Sequence, residues 1–255
     1  MKRGFTVVLA SFMVLVTMGD QSYAESNAKI EPKAAEILKR VTSYLGSAKT
    51  LSFTAVTMYD VVEKTGIKTL KAVQQDVVLR RPSGLHSRFK DDHGVRRQLW
   101  FDGTTLTVLQ EDKNTFDTVS MKLSKQPTND DFLDAISQRF GISFPIIDLL
   151  YSKIARNVQE NLISGVYLGE RTMLDGVQAH HLSLEGRNAD WQIWVAVGDQ
   201  PNILRMAVNY VTMPEQPAFI TIMTNWKVNE DVPASRFKPD LPKTAKRQAF
   251  LKEMK

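Results

Sequence analysis

The residues with the most obvious capacity for chemistry are the neighbouring histidines His180 and His181. Because consecutive residues of a β-strand point to opposite faces, the two imidazoles cannot bind one metal ion together. The other histidines, His86 and His93, lie in polar strand and turn contexts. A metal or catalytic histidine would therefore need partners from distant parts of the fold. Packed or hydrogen-bonded histidines are the simpler interpretation, and we assign no catalytic residue, metal ligand or cofactor.

Other chemical signatures are also missing from the chain. It has no cysteine, which excludes disulfides, thiol catalysis and thiolate metal sites. There is no GxSxG, HExxH or glycine-rich nucleotide motif. The acidic pairs at 91–92 and 130–131 suit a turn and a helix start. We therefore expect a protein that is not an enzyme, although glycoside hydrolysis stays open because carboxylate separation is not encoded locally.

The elements that would position any site are mostly strands. Residues 96–121 predict an antiparallel meander, in which Asp102-Gly103 is typical of a two-residue hairpin turn that pairs Leu99 with Leu106. Similar alternation elsewhere gives about ten strands. No linker or repeat divides the chain after its first 24 residues. We therefore expect one mainly antiparallel domain over residues 25–255, with a basic tail from about residue 243.

Helical spacing occurs in two places. An apolar stripe over residues 32–45 predicts a helix that begins at Pro32 and ends at Gly46. Thr128 to Asp131 resembles a capping box for a second helix that ends at Gly141. Residues 144–151 follow with the sequence FPIIDLLY, in which Asp148 is the only charge. This lid segment, as we name it, is either a short helix buried around most of its circumference or a mobile hydrophobic flap.

Large apolar side chains fall on both faces of the predicted strands. A sheet that is apolar on both faces is covered on both, or holds something in its concavity. Together with the lid segment, such residues could enclose an acyl chain, since aromatic and methionine side chains make an adaptable lining. The alternative is an ordinary filled core under the helices. The residues concerned are Trp100, Trp194, Phe219 and Met223.

The first residues predict export. Lys2 and Arg3 precede an apolar run that is too short to span a bilayer, and residues 22–24 offer a small-x-small cleavage site. We expect a signal peptide over residues 1–24, cleaved after Ala24, and no membrane span in the mature chain. The formal charge of +5 is scattered and accompanies no nucleic-acid-binding motif, so nucleic acid is not an expected partner.

The order of these elements resembles a known superfamily. Over residues 32–243 the chain is similar to the periplasmic lipoprotein carriers LolA and LolB and to the regulator RseB, and most of all to the exported family called domain of unknown function 2092. The motifs that carry the resemblance are Arg80-Arg81-Pro82, DGTTL at 102–106, FGISFPIIDLLYS at 140–152, GVQAHHLSLEGRNADWQIWV at 176–195, and the segment from Asn225 to Pro242.

The resemblance implies an α+β fold that is mainly antiparallel β. The expected architecture is a curved incomplete barrel, a LolA-like half-barrel of about ten to eleven strands, with helices covering the concave side. In the carriers, an arginine at the place of Arg81 controls lid closure, and Leu85 matches an apolar position at the cavity mouth. The implied ligand-binding residues are Arg81, Leu85, Trp100, Ile146, Leu149, Leu150, Trp194, Phe219 and Met223.

The same resemblance suggests a soluble periplasmic protein that binds a lipid, an acyl chain or a lipidated protein, as a carrier or chaperone of the cell envelope. The chain lacks the acylated cysteine of LolB and has a longer second half than LolA. The alternative function is an envelope interaction or stress-sensor module like RseB, with a filled core, a protein partner and no ligand. The sequence does not predict an oligomeric state.

Overall fold

One large, open and curved sheet of 13 strands forms most of the protein in a computed structural model that describes residues 29–144 and 146–254. The expected signal peptide lies outside these residues. In chain order the strands are β1 (Lys29–Ile30), β2 (Thr50–Val62), β3 (Lys68–Arg80), β4 (Leu85–Asp91), β5 (Arg96–Phe101), β6 (Thr105–Gln110), β7 (Thr115–Ser120), β8 (Leu162–Thr172), β9 (Gln178–Gly186), β10 (Asp190–Ala196), β11 (Ile203–Asn209), β12 (Ala218–Val228) and β13 (Lys246–Arg247).

The strands are arranged in the order β1-β8-β9-β10-β11-β12-β2-β3-β4-β5-β6-β7-β13. β1 pairs with β8 and β13 with β7 in parallel, and the other neighbours are antiparallel. The expected ten to eleven strands were too few. The two-residue edge strands β1 and β13 are too short to show an alternating pattern.

The central hairpin differs from its prediction by two residues. Leu99 faces Val108 and Phe101 faces Leu106, so the predicted pairing of Leu99 with Leu106 was wrong. The Asp102 carboxylate accepts hydrogen bonds from the backbone N–H groups of Thr104 and Thr105, both at 2.9 Å, which lengthens the loop. A shift of two residues leaves each side chain on its predicted face because the strand period is two.

In the described part of the chain, three α-helices and two 3-10 helices accompany the sheet: α1 (Pro32–Ser47), α2 (Asn129–Phe140), α3 (Ile154–Asn161), and 3-10 helices at Ile147–Leu150 and Ala234–Phe237. α1 continues through Gly46, which was expected to end it. A Cβ atom at Gly46 would lie 2.8 Å from the carbonyl oxygen of Ser152. Glycine is therefore needed there because the chain after the lid segment passes against the helix.

The predicted capping box of α2 is confirmed. The Thr128 hydroxyl accepts a hydrogen bond from the Asp131 N–H at 3.1 Å, and the Asp131 carboxylate accepts one from the Thr128 N–H at 2.9 Å. Gly141 ends the helix with a positive φ of 63°, as predicted. These local signals fix both ends of α2 and thereby the point at which the lid segment begins.

The core lies on one face of the sheet, which we call the inner face; the opposite face is the outer face. The three α-helices and the lid segment pack on the inner face and form one hydrophobic cluster with it. Phe101 of β5 and Phe132 of α2 are fully buried there, with their rings stacked at a centroid distance of 3.9 Å. Aromatic stacking of this kind contributes about 0.5–1.5 kcal/mol beyond the buried area.

The basic tail also belongs to the fold. β13 continues into a segment whose N–H groups at Phe250 and Leu251 donate to the buried carboxylate of Asp117, at 2.7 and 2.8 Å. Arg139 of α2 pairs with Glu253. The tail thus covers the inner face beside β7. Within residues 29–144 and 146–254, no helix is long and apolar enough to cross a membrane.

Asn129 joins α2 to the turn between β3 and β4. Its amide donates to the Arg80 carbonyl and accepts from the Gly84 N–H, both at 2.9 Å, and the side chain is 1% exposed. Its own N–H donates to the Pro82 carbonyl at 2.7 Å. This residue therefore satisfies the backbone of the turn that carries Arg81.

We expect Asn129→Ala to lower the free energy of unfolding by about 2–3 kcal/mol, because a buried polar group left without a partner costs about 1–3 kcal/mol. Urea denaturation of the purified protein measures the change. Asn188→Ala, at an exposed loop position, is the matched control and should change little. Equal unfolding energies for the two variants would contradict the role assigned to Asn129.

Candidate functional site

Arg81 connects three parts of the structure at the end of β3. Its guanidinium donates to the carbonyl of Ala48, after α1, at 2.7 Å, and to the carbonyls of Leu150 and Tyr151 at 3.2 Å each. Burial lowers the pKa of Arg81, and the nearby Asp130 carboxylate opposes this shift. The side chain therefore holds the end of the lid segment against the sheet and the first helix.

The residues next to this end are bound to α2. The Asp130 carboxylate accepts hydrogen bonds from the N–H and the hydroxyl of Ser152, at 2.9 and 2.6 Å. The Tyr151 hydroxyl donates to Asp134 at 2.8 Å. Burial and this hydrogen bond raise the pKa of Tyr151, so the phenol keeps its proton and stays a donor. Together with Arg81, these contacts fasten the lid segment at its C-terminal end.

The lid segment fills the space beneath it. Ile146, Leu149 and Leu150 are 1%, 7% and 0% exposed and belong to the same cluster as the inner face. Leu85 of β4 and Met223 of β12, which were predicted to bind the same ligand, lie in this cluster as well. The structure thus places these five predicted residues in one buried cluster on the inner face.

Two other predicted residues lie on the outer face. Trp100 pairs across the sheet with His86 and Thr107, and Trp194 pairs with His181 and Arg205. Both tryptophans therefore point away from the lid segment, and the structure does not bring them together with the predicted residues of the inner face. They were chosen as aromatic side chains that could line a concavity, whereas the alternation of β5 and β10 gives the inner face to their neighbours.

Phe219, the last predicted residue, marks an open end of the inner face. It forms a small buried cluster with Ala189 and Val208. Four larger side chains that were not predicted as ligand-binding pack around it and stay half-exposed. We call this group the aromatic end of the site; it consists of Tyr59, Trp191, Met206 and Tyr210. Alternation places each of them on one face of its own strand, but it does not show that these faces coincide.

Asp148 of the lid segment faces this aromatic end. Its side chain reaches solvent, yet protein surrounds it closely enough that desolvation raises its pKa. Burial, together with the charge of Asp148, raises the pKa of Tyr210 to about 12. A carboxyl group therefore stands at the boundary between the packed lid and the half-exposed aromatic wall, where its charged form is disfavoured.

The histidines are held by neighbours rather than assembled into a centre. His180 lies 3.1 Å from the Tyr167 hydroxyl, whereas His181 stacks on Trp194 on the outer face at 4.2 Å. This confirms the prediction that the two point to opposite faces. Among the described residues, no group of three or more histidine or acidic side chains is placed to hold a metal ion.

Comparison with solved structures gives the fold. LprF from Mycobacterium bovis is 15% identical, with a TM-score of 0.50, over 84% of this chain and 98% of that one. The MucA/MucB complex of Pseudomonas aeruginosa matches at 12% identity and a TM-score of 0.39, over 81% and 61%. NE2245 of Nitrosomonas europaea, a LolA superfamily protein, matches at 12% and 0.34, over 81% and 98%.

Comparison at the level of sequence gives the family. No curated protein matches the chain. A family model described as a predicted periplasmic protein, DUF2092, matches residues 34–251. This confirms the resemblance found in the sequence motifs and the expected periplasmic location. Since the match spans nearly the whole described chain, the protein belongs to the DUF2092 family of predicted periplasmic proteins.

Proposed function

We propose that this protein is a periplasmic binding protein without enzymatic activity that holds an acyl chain, of a lipid or of a lipidated protein, against the inner face of its sheet. The observation that carries the proposal is the apolar lid segment, fastened by Arg81 beside a half-exposed aromatic wall. A carrier or chaperone of the cell envelope would need such a site, because it must cover its apolar surface when empty.

In the empty state the lid segment takes the place of the ligand. Ile146, Leu149 and Leu150 already bury the surface that an acyl chain would use. Displacement of the lid would free that surface, and each buried methylene of the ligand would then contribute about 0.8 kcal/mol. The hydrogen bonds from Arg81 hold the C-terminal end of the lid segment, so they limit how far this movement can go.

The aromatic end is the proposed entrance. Its four side chains are half-exposed although they lie on the inner face, whereas the inner face below the lid is buried. Tyr59 and Tyr210 place phenol groups beside apolar surface, an arrangement that suits the boundary between an acyl chain and water. A ligand entering there meets Asp148 before it reaches the residues under the lid.

A filled core favours the second candidate, an envelope interaction or sensor module. The lid residues already pack in the core, so the inner face requires no ligand. The outer face of β2 and β12 carries exposed aliphatic side chains: Val56 faces Ile222, Met58 faces Ile220, and each is 36–44% exposed. A cluster of this kind suits contact with another protein. Binding measurements distinguish the two functions.

Loss of the Arg81 contacts should loosen the lid. Arg81→Met keeps the apolar stem but removes three charged hydrogen bonds, each worth about 1.5–3 kcal/mol. We expect amide exchange in residues 146–152 to become at least about tenfold faster, since about 1.4 kcal/mol is a factor of ten. Hydrogen exchange with mass spectrometry measures it. Arg80→Met is the control, because Arg80 stacks on Phe237 on the outer face. An equal increase in exchange in the two variants would argue against the role of Arg81 in holding the lid segment.

Adjacent residues of β11 test the binding face. Met206 lies at the aromatic end, and Ala207 points to the outer face. A fluorescent fatty acid should bind the wild-type protein, and Met206→Glu should weaken binding at least about tenfold, because a buried carboxylate loses its hydration. Ala207→Glu should bind as the wild type does. Absence of uptake by the wild-type protein would overturn the proposal and favour the sensor module.

Asp148 should make lid closure depend on pH. Because burial raises its pKa, the closed state holds the proton more tightly, and the resulting stability is lost as pH rises through the raised pKa. The difference in stability between Asp148→Asn and the wild type should therefore shift in favour of the variant as the pH rises from about 4 to about 8. Thermal unfolding at both values measures this difference. Asp112→Asn on an exposed turn is the control; a pH-independent difference for Asp148→Asn would refute the effect.

A further inference from the structure

A pocket lies on the outer face, away from the lid. It is formed where the segment of residues 233–240 crosses β4 and β5, and its volume is about 540 Å³. Small-molecule sites usually occupy about 300–1,000 Å³. The thickness of the sheet separates it from the inner face, so its ligand does not depend on the acyl site. It is lined by His86, Arg88, Gln98, Trp100, Pro233, Ser235, Arg236, Lys238, Pro239 and Asp240.

The crossing segment is anchored in place. Phe237 is 1% exposed and packs on Gly84, where a Cβ atom would lie 3.2 Å from the phenyl ring. The Arg80 guanidinium lies 4.7 Å from the centre of the same ring. Two prolines, Pro233 and Pro239, flank this anchor and limit the backbone. The wall of the pocket is therefore formed before any ligand arrives.

The floor of the pocket is aromatic and uncharged. His86 and Trp100 stack at a centroid distance of 5.2 Å, with an angle of 7° between the rings, and each is 3% exposed. Burial lowers the pKa of His86 to about 4, so the ring is neutral at pH 7. Its Nε2 lies 3.1 Å from the Gln98 Oε1, a carbonyl oxygen that only accepts, so Nε2 carries the proton.

Arg88 is oriented by the same amide. Its Nε donates to the Gln98 Oε1 at 3.2 Å, while the Gln98 amide nitrogen donates to Glu111 at 2.5 Å. This arrangement leaves the terminal nitrogens of the Arg88 guanidinium available at the pocket. A guanidinium held by its Nε presents a planar pair of donors that matches the oxygens of a phosphate.

Two further cations lie at the pocket without a partner. Among the residues that the structure describes, none forms a hydrogen bond or ion pair with the side chain of Arg236 or Lys238, and both are exposed. Three cations and the Asp240 carboxylate leave a net charge of two positive units at the pocket. Like charges that line one pocket repel one another, and an anion between them would remove that repulsion.

We propose that this pocket binds an organic phosphomonoester, with the phosphate held by Arg88, Arg236 and Lys238 and the organic group against Trp100 and the prolines. A phosphomonoester carries about −1.5 to −2 charges at pH 7, which matches the net charge of the pocket better than a single carboxylate does. The same chemistry is available from a soluble sugar or glycerol phosphate and from a phosphorylated lipid headgroup.

Calorimetric titration with glycerol 3-phosphate tests the soluble source, and flotation with phosphatidylcholine vesicles with and without phosphatidic acid tests the lipid source. We expect saturable binding in at least one arm and a loss of at least about tenfold in Arg236→Ala. Lys243→Ala removes the same charge at an exposed site outside the pocket and should bind as the wild type does.

The two arms assign the source. Binding of glycerol 3-phosphate that Arg236→Ala weakens supports recognition of the phosphate itself. Binding only to vesicles with phosphatidic acid, again weakened by Arg236→Ala, supports a lipid headgroup. Absence of binding in both arms, or equal losses in Arg236→Ala and Lys243→Ala, would overturn the proposal. Circular dichroism of both variants tests whether they are folded. We expect that they are, because substitutions at exposed positions usually change stability little.

Discussion

The contact between the Arg81 guanidinium and three carbonyl oxygens determines the arrangement on the inner face. Ala48, Leu150 and Tyr151 supply these acceptors from the end of α1 and the end of the lid segment. A guanidinium that loses water needs acceptors in the plane of its donors, so both chain segments must meet at the end of β3. Hydrogen bonding thus fixes the position of the lid segment, and the apolar side chains of that segment pack against the inner face as a consequence.

Close backbone approach is the second condition for this arrangement. Ser152 comes so near to α1 that only glycine fits at position 46, and Asp130 then binds the Ser152 N–H and hydroxyl. These polar contacts lie at one end of the lid segment, whereas Asp148 lies nearer the aromatic end in a site that disfavours its charge. The lid is therefore firmly held at one end and electrostatically weakened at the other, which suits a cover that opens from the aromatic side.

Features encoded by neighbouring residues could be predicted from the sequence, and features that depend on distant strands could not. The capping box of α2 and the opposite faces of His180 and His181 follow from spacing alone. The pairing of Leu99 is an exception among local features, because it depends on hydrogen bonds of the Asp102 side chain to its neighbours, which no alternation encodes. The aromatic end combines β2, β10, β11 and β12, so its members are adjacent only in the assembled sheet.

The two tryptophans show why aromatic character alone is a poor guide to a site. Trp100 and Trp194 both lie on the outer face, but only Trp100 is covered, since the crossing segment of residues 233–240 lies over β4 and β5. The same segment contributes Arg236 and Lys238, which remain beside the covered ring. The segment that covers Trp100 therefore also supplies the cations beside it. Because burial of the ring and placement of the cations have the same cause, a polar pocket forms on the face opposite the apolar site.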